Sequence, residues 1–370
     1  MIRLSINIFR NEDLSYPIYI GNKIFDNLKE EVNRLTPSHI VIITDSIISS
    51  LHLNYVIKNI QEWNIPVSTI VIPSGEKFKD RKTKEYIENE MFKLNIDRKG
   101  LIIGFGGGVV GDISGFVAAT YLRGINFILV PTTLLSMVDS SIGGKVGIDT
   151  PYGKNTIGAF HQPKAVIIDV SFLDTLPEVQ FRNGLVEIIK HSIIRDRELF
   201  EFLSQNKGSI ISKNYESLVK VIEWSCRIKK EVVEKDEKET GLRKILNFGH
   251  TIGHAIETMS NYKVLHGFAV SVGMSVESLI SRNIGILSDE DYVSILKILE
   301  DYQLPTNLRD IKYKLNDKDI IKLIELMKGD KKSIKFNINM SLPRTIGEMV
   351  ETFTLTVEPQ QIIEAIKSVN

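Results

Sequence analysis

The chain of 370 residues has one cysteine, Cys226, and a formal net charge of zero. A single thiol excludes an internal disulfide and fits a reducing compartment, so the expected location is cytoplasmic. Lys plus Arg number 46 and Asp plus Glu number 46. That balance argues against a broad nucleic-acid or anionic-membrane surface, while leaving room for a local basic pocket. Residues 1–20 alternate like a strand and lack the basic start, long apolar run and small-residue cleavage site of a signal peptide. The least charged stretch, 101–120, has Asp112 as its only charge, but it carries six glycines, three of them consecutive. It reads as strand–turn–helix and not as a membrane span. Cys226 lies in the helical pattern EWSCRIKKEVV, where a free cysteine reads as core.

What is present is ordinary for a globular protein: 43% hydrophobic and 25% charged residues, and length for two domains. Segments 39–45, 67–73, 101–105, 125–131 and 164–170 are short apolar runs separated by helical patterns in the first half. Unbroken apolar strands alternating with helices predict a parallel sheet covered on both faces. After about Leu176 the periodicity is helical in 177–202, 210–234, 245–260, 266–283, 290–302 and 317–327. The expected architecture is an α/β Rossmann-like nucleotide-binding domain over 1–175, then a mostly α-helical domain over 176–370. A ligand is expected in the cleft between them.

Gly106-Gly107-Gly108-Val109-Val110-Gly111-Asp112 follows a strand and opens a helix. Glycines admit close backbone approach, and the helix start offers free N–H groups to a phosphate. The acidic residue usual about twenty positions later is replaced by VPTT, so Asp45, at another strand end, is the candidate for a ribose hydroxyl. The 73–79 segment, with Glu76 and Lys79, is a second strand-end loop with room for an anion or ribose, though on its own such a loop is more often a plain turn before a helix. The run 130–155 is rich in Gly, Ser, Thr and Lys and is expected to be a long functional loop. Glu187 and Lys190 share a helix face and, taken alone, read as a surface ion pair. Three of the seven histidines, His250, His254 and His266, fall within 250–266. On spacing alone, His250 and His254 are either a metal-binding i,i+4 pair or hydrogen-bonded core residues. Thr251 stands where a zinc protease has its glutamate, which disfavours that chemistry.

The blocks GGGVVGDISGFVAATYLRG, VPTTLLSMVDSSIGGKVGID, GKNTIGAFHQP, GLVEIIKH, DEKETGLRKILNFGHTIGHAIE and LHGFAVSVGM, in this order, closely resemble the 3-dehydroquinate synthases, within the sugar-phosphate cyclases. The resemblance covers nearly the whole chain. It implies an NAD- and divalent-metal-dependent lyase (zinc, or else cobalt) that acts as a homodimer on a small sugar phosphate, with no nucleic-acid or membrane partner. It assigns Glu187, His250 and His266 to the metal, and His254 to proton transfer with Glu239 as a second candidate. Lys145 and Lys190 are also placed in the catalytic group. Asp45, Glu76, Lys79, Gly107, Gly108, Asp112, Thr132, Thr133, Lys154 and Thr175 should meet NAD. Asp139, Lys145, Asn155, Lys190, Lys229, Arg243 and Asn247 should line the substrate pocket, with Arg123 reaching the phosphate across the dimer interface. Lys331 and Lys332 match a phosphate-binding region.

The implied reaction converts 3-deoxy-D-arabino-heptulosonate 7-phosphate to 3-dehydroquinate and phosphate. It runs through oxidation, phosphate elimination, re-reduction, ring opening and intramolecular aldol closure, with no net redox change. Two departures stand out. Phe268 replaces a usual glutamate, which puts the surroundings of the metal in question, and Val186 replaces a usual alanine. The rival readings are another cyclase, such as a 2-deoxy-scyllo-inosose or valiolone-type synthase, a metal-dependent polyol or alcohol dehydrogenase, and a non-catalytic nucleotide-binding protein.

Overall fold

The computed structural model describes residues 12–313, 315–327 and 338–369. Its first half is built on a six-stranded sheet. The strands are β1 (Ile18–Gly21), β2 (Ile40–Asp45), β3 (Val67–Ile72), β4 (Leu101–Gly106) and β5 (Asn126–Pro131), followed after a hairpin of β6 (Lys145–Thr150) and β7 (Gly153–Phe160) by β8 (Val166–Asp169). The spatial order is β1-β8-β5-β4-β2-β3, and every neighbour pair is parallel. Runs such as Ile40–Ile43 are buried on both faces, which is why they read as unbroken apolar stretches.

The chain steps from β2 outward to β3, then returns to the other side of β2 as β4. The carboxyl ends of β2 and β4 therefore flank a topological switch point, where open α/β sheets bind ligands. Asp45 ends one strand and Gly106 the other. The helix Gly108–Thr120 follows directly.

The expected long loop over 130–155 is corrected. Ser136–Ser140 is a helical turn, and β6 (Lys145–Thr150) pairs with β7 (Gly153–Phe160) in an antiparallel hairpin. Val146 and Ile148 are buried, so a period-two pattern underlies the polar composition. Gly147 and Gly158 face each other so closely that a Cβ on Gly158 would stand 2.1 Å from the Val146 carbonyl oxygen.

The second half is mostly helical, with boundaries shifted from expectation. The 177–202 pattern is two helices, Glu178–Arg195 and Arg197–Gln205, because Asp196 caps the second through the Leu199 amide at 2.9 Å. The 210–234 pattern divides at Asn214, which caps Tyr215–Lys235. The 245–260 pattern is a 3-10 turn, Leu242–Asn247, followed by the helix His250–Met259. Short strand pairs, Ile338–Met340 with Leu355–Val357 and Pro343–Thr345 with Glu348–Met349, were not anticipated. No described helix is long and apolar enough to cross a membrane.

The helices His250–Met259 and His266–Asn283 approach through glycine. A Cβ on Gly273 would lie 2.0 Å from the Gly249 carbonyl oxygen. From the second helix, the fully buried Glu277 accepts the Gly249 amide at 2.7 Å and the Ile252 amide at 3.4 Å. It thereby caps the helix that carries His250 and His254.

Candidate metal and cofactor site

Glu187 projects from Glu178–Arg195 and is completely buried. The expected surface pair with Lys190 is instead an interior contact, since Lys190 is only 1% exposed. Lys190 lies against one carboxylate oxygen, yet neither oxygen of Glu187 accepts a hydrogen bond among the described residues. Lys190 is a cation that already meets this buried carboxylate, at Oε2, and Oε1 is left turned toward a second positive group.

Two imidazoles converge on that carboxylate. His250 Nε2 is 3.7 Å and His266 Nε2 is 3.8 Å from Glu187 Oε1. The Nδ1 of His250 donates to the Phe248 carbonyl at 3.1 Å, and the Nδ1 of His266 donates to Glu257 Oε2 at 3.1 Å. In the neutral rings, protonated at Nδ1, both Nε2 lone pairs turn toward Glu187. Burial would lower the His266 imidazole, but Glu257 outweighs it and raises it, so a cation there displaces a proton. Tetrahedral zinc with bonds near 2 Å needs ligand atoms about 3.3 Å apart, so the residues fit a divalent ion after a small contraction.

A second cluster, His254, Glu257 and His266, is comparably tight. Its carboxylate is already engaged: Glu257 Oε1 accepts from Lys154 Nζ at 3.0 Å and Oε2 from His266. Burial alone would raise the Glu257 carboxyl. The bond from His266 and the nearby charges of His266 and Lys154 outweigh it and hold Glu257 at about 2. In the Glu187 set, by contrast, Lys190 takes only Oε2, and Oε1 has no hydrogen-bond partner among the described residues. Glu257 is a functional residue the sequence reading passed over. Its signal was there, because it lies seven residues after His250 and three after His254, on the same helix face.

Phe268 does not enter this shell. It points to a separate cavity lined also by Arg182 and Pro305, and the support of His266 comes from Glu257. Val186 is a buried core residue.

His254 lines a cavity of about 630 Å³ together with His250, Glu239 and Asn247. Burial pulls its imidazole down to about 4, so it is neutral at pH 7. Glu239 is bonded by Lys145 and by Asn247 Nδ2 at 2.6 Å. Burial pushes this carboxyl up, but those bonds win and hold it below the usual carboxylate range. Behind Glu187, His250 and His266, the buried cations Lys190, Lys229 and Arg243 lie near Asp139, which accepts from Lys229, and Arg243 also faces Glu239 and Asp236. Three buried cationic side chains close together could be met by an anionic ligand. Cys226 is buried nearby, and burial pushes its thiol up to about 12, so it is no nucleophile.

On the sheet side, Gly107 stands before the helix Gly108–Thr120, and no side chain caps its first amides. A Cβ on Gly107 would meet Thr133 Cγ2 at 3.2 Å, and one on Gly108 would meet Ser140 Oγ at 3.1 Å. Thr132 Oγ1 is buried without a partner among the described residues, and Thr133 Oγ1 pairs with Ser136 Oγ at 2.8 Å. Free amides and an orphaned hydroxyl at the switch point fit a dinucleotide phosphate. Lys79 is buried and bonds both Asp112 and Asn155. Asp45 accepts the Ile47 and Ile48 amides at 2.8 and 3.1 Å, both through Oδ1. Lys154 Nζ also lies 3.6 Å from Glu76, and Thr175 Oγ1 meets His52 Nε2 at 2.7 Å.

Arg123 does not join this group within its own chain. It is exposed at the start of β5, whereas Thr132 follows the end of that strand, about 20 Å away at 3.3 Å per residue. Leu122 and Arg123 both have positive φ, 47° and 71°, a costly conformation for side-chain-bearing residues. Lys331 and Lys332 lie outside the described residues.

Comparison with known proteins places this geometry in a family. Residues 69–183 match the 3-dehydroquinate synthase N-terminal family, and 184–333 match the 3-dehydroquinate synthase C-terminal family. A 3-dehydroquinate synthase of Thermodesulfovibrio yellowstonii is 43% identical over 346 residues, 93% of this chain and 95% of the relative. Among solved structures, a 2-epi-5-epi-valiolone synthase from Streptomyces hygroscopicus with NAD+ and Zn2+ bound superposes with a TM-score of 0.87. It is 25% identical, over 98% of this chain and 99% of that one. A 2-deoxy-scyllo-inosose synthase complexed with carbaglucose-6-phosphate, NAD+ and Co2+ gives a TM-score of 0.86 at 25% identity, over 95% and 96% of the two chains. Two adjoining family matches and a relative alike over nearly its full length establish that the chain belongs to the 3-dehydroquinate synthase family.

Proposed function

We propose that the chain converts 3-deoxy-D-arabino-heptulosonate 7-phosphate to 3-dehydroquinate and phosphate in the cytoplasm, as a step of aromatic amino-acid biosynthesis. The observation that carries the reading is the buried carboxylate of Glu187, whose Oε1 faces the Nε2 atoms of two histidines beside the buried cations Lys190, Lys229 and Arg243. NAD and a divalent ion, once bound, supply reversible oxidation of a carbinol carbon and polarisation of its oxygens. Both groups are present in the two cyclase structures of the same fold.

Glu187, His250 and His266 hold the ion, with Glu257 and the Phe248 carbonyl fixing the imidazole tautomers. Asp45, Glu76, Lys79, Gly107, Gly108, Asp112, Thr132, Thr133, Lys154 and Thr175 form the NAD side of the cleft. Asp139, Lys145, Asn155, Lys190, Lys229, Arg243 and Asn247 receive the substrate, cations facing its carboxylate and phosphate. His254, neutral at pH 7 and open to the cavity, accepts and returns protons there. Glu239, held ionised, orients Lys145 and Asn247. The phosphate end is completed by Lys331 or Lys332 and by Arg123 of a second copy, since Arg123 faces away from its own site. The functional division runs over 1–175 for NAD and 176–370 for metal and substrate.

Cyclases at 25% identity share the fold closely, so a different sugar phosphate is the second reading. Offering the purified protein both 3-deoxy-D-arabino-heptulosonate 7-phosphate and glucose 6-phosphate, with catalytic NAD and zinc, separates the two. Turnover of the first supports the synthase, and turnover of the second alone overturns it.

A further inference from the structure

Glu257 is 2% exposed and has two different tasks, one on each oxygen. Oε2 holds the Nδ1 proton of His266 at 3.1 Å, and Oε1 holds Lys154 Nζ at 3.0 Å. Lys154 comes from β7, so this carboxylate links the hairpin of the sheet half to the helix His250–Met259. The same ammonium lies 3.6 Å from Glu76 and 4.7 Å from the centre of the Tyr262 ring. A buried carboxylate bonded by two cationic or ionisable donors, with His254 close by as a third ionisable neighbour, divides its charge between those bonds, and strengthening one weakens the other.

We propose that Glu257 is a positioning residue that couples metal occupancy at Glu187, His250 and His266 to NAD binding through Lys154. The proposal rests on the reading above, in which that triad takes the ion and Lys154 meets the cofactor. A cation on His266 Nε2 makes its Nδ1–H a stronger donor and draws Glu257 charge toward Oε2. The hold of Oε1 on Lys154 weakens, and the ammonium becomes available to an electron-rich group on NAD. Each ligand therefore favours the other by the same factor.

The test is zinc affinity, measured against a competing chelator, with and without saturating NAD+. Wild type and two variants, Glu257→Gln and Lys154→Met, are compared, with the visible spectrum of the Co2+ form reporting the shape of the site. In wild type, NAD+ should tighten zinc binding about tenfold. Glu257→Gln should bind zinc about 10–100-fold more weakly, with an altered Co2+ spectrum and a coupling factor near one. Lys154→Met leaves Glu257 to His266 alone, so it should keep the wild-type Co2+ spectrum and bind zinc at least as tightly as wild type without NAD+, yet also lose the coupling. That variant separates coupling from misfolding. A wild-type protein that binds both ligands independently overturns the proposal while leaving the functional reading intact. Coupling that survives in Lys154→Met overturns it equally. Failure of wild type to bind zinc or NAD+ at all overturns both.

Discussion

His250 and His254 stand one helical turn apart, with ring centroids 5.1 Å apart at 85°, yet only His250 is within ion-pair reach of Glu187. The difference lies in what holds each ring. His250 Nδ1 is tied to the Phe248 carbonyl, while His254 opens onto the cavity.

His250→Ala should therefore lose bound metal, whereas His254→Ala should keep it and lose about 10²–10⁴-fold in kcat. Elemental analysis of dialysed variants beside their turnover checks this. Metal loss in both would return the pair to the simple i,i+4 ligand reading.

Burial pushes the Glu277 carboxyl up to about 8 from an ordinary 4.5, against the backbone N–H bonds that pull it down. Between those values the unfolded chain sheds a proton that the folded chain keeps. Stability should thus be fully present below about pH 4.5, fall as pH rises toward about 8, and level off above. Glu277→Gln holds the site neutral throughout and should flatten that slope in urea melts. An unchanged slope contradicts the assignment.

Gly273→Ala puts a methyl 2.0 Å from the Gly249 carbonyl oxygen, where backbone and not a flexible side chain must yield. It should cost about 1–3 kcal/mol or more and loosen the start of the helix carrying His250. Thermal melts and zinc affinity should both fall. Gly208→Ala, with nothing within 4 Å of the added Cβ, is the matched control.

Arg123 gives a test of the assembly. Arg123→Ala and Glu187→Gln should each be nearly inactive, but a re-annealed mixture should recover about a quarter of wild-type activity, because half the dimers then contain one intact site. No recovery in a mixture shown to exchange subunits would place Arg123 in the site of its own chain, and a fully active Arg123→Ala would place it outside the site.

Much of this was legible in the sequence. Apolar runs such as IVIITD and LIIGF are buried on both faces, so their character survives any detail of packing. The hairpin was not legible, because Gly, Lys and Thr mask the alternation of Val146 and Ile148. Spacing could not tell His250 from His254, since the choice is made by Nδ1 partners. One of these is a backbone carbonyl, which carries no sequence signature. Glu277 was hidden for the opposite reason: a lone carboxylate in SVGMSVESLI looks like a helix-surface residue until the neighbouring helix start is seen docked on it. Helix ends at Asp196 and Asn214 were missed because the apolar period continues across the cap.

The most direct measurement is the stoichiometry of phosphate and 3-dehydroquinate formed from 3-deoxy-D-arabino-heptulosonate 7-phosphate by zinc-loaded protein with catalytic NAD. Equal amounts of both, with no accumulating NADH absorbance, is the expected result. Folded, zinc-loaded protein that releases no phosphate, or that accumulates NADH in step with substrate consumed, would contradict it.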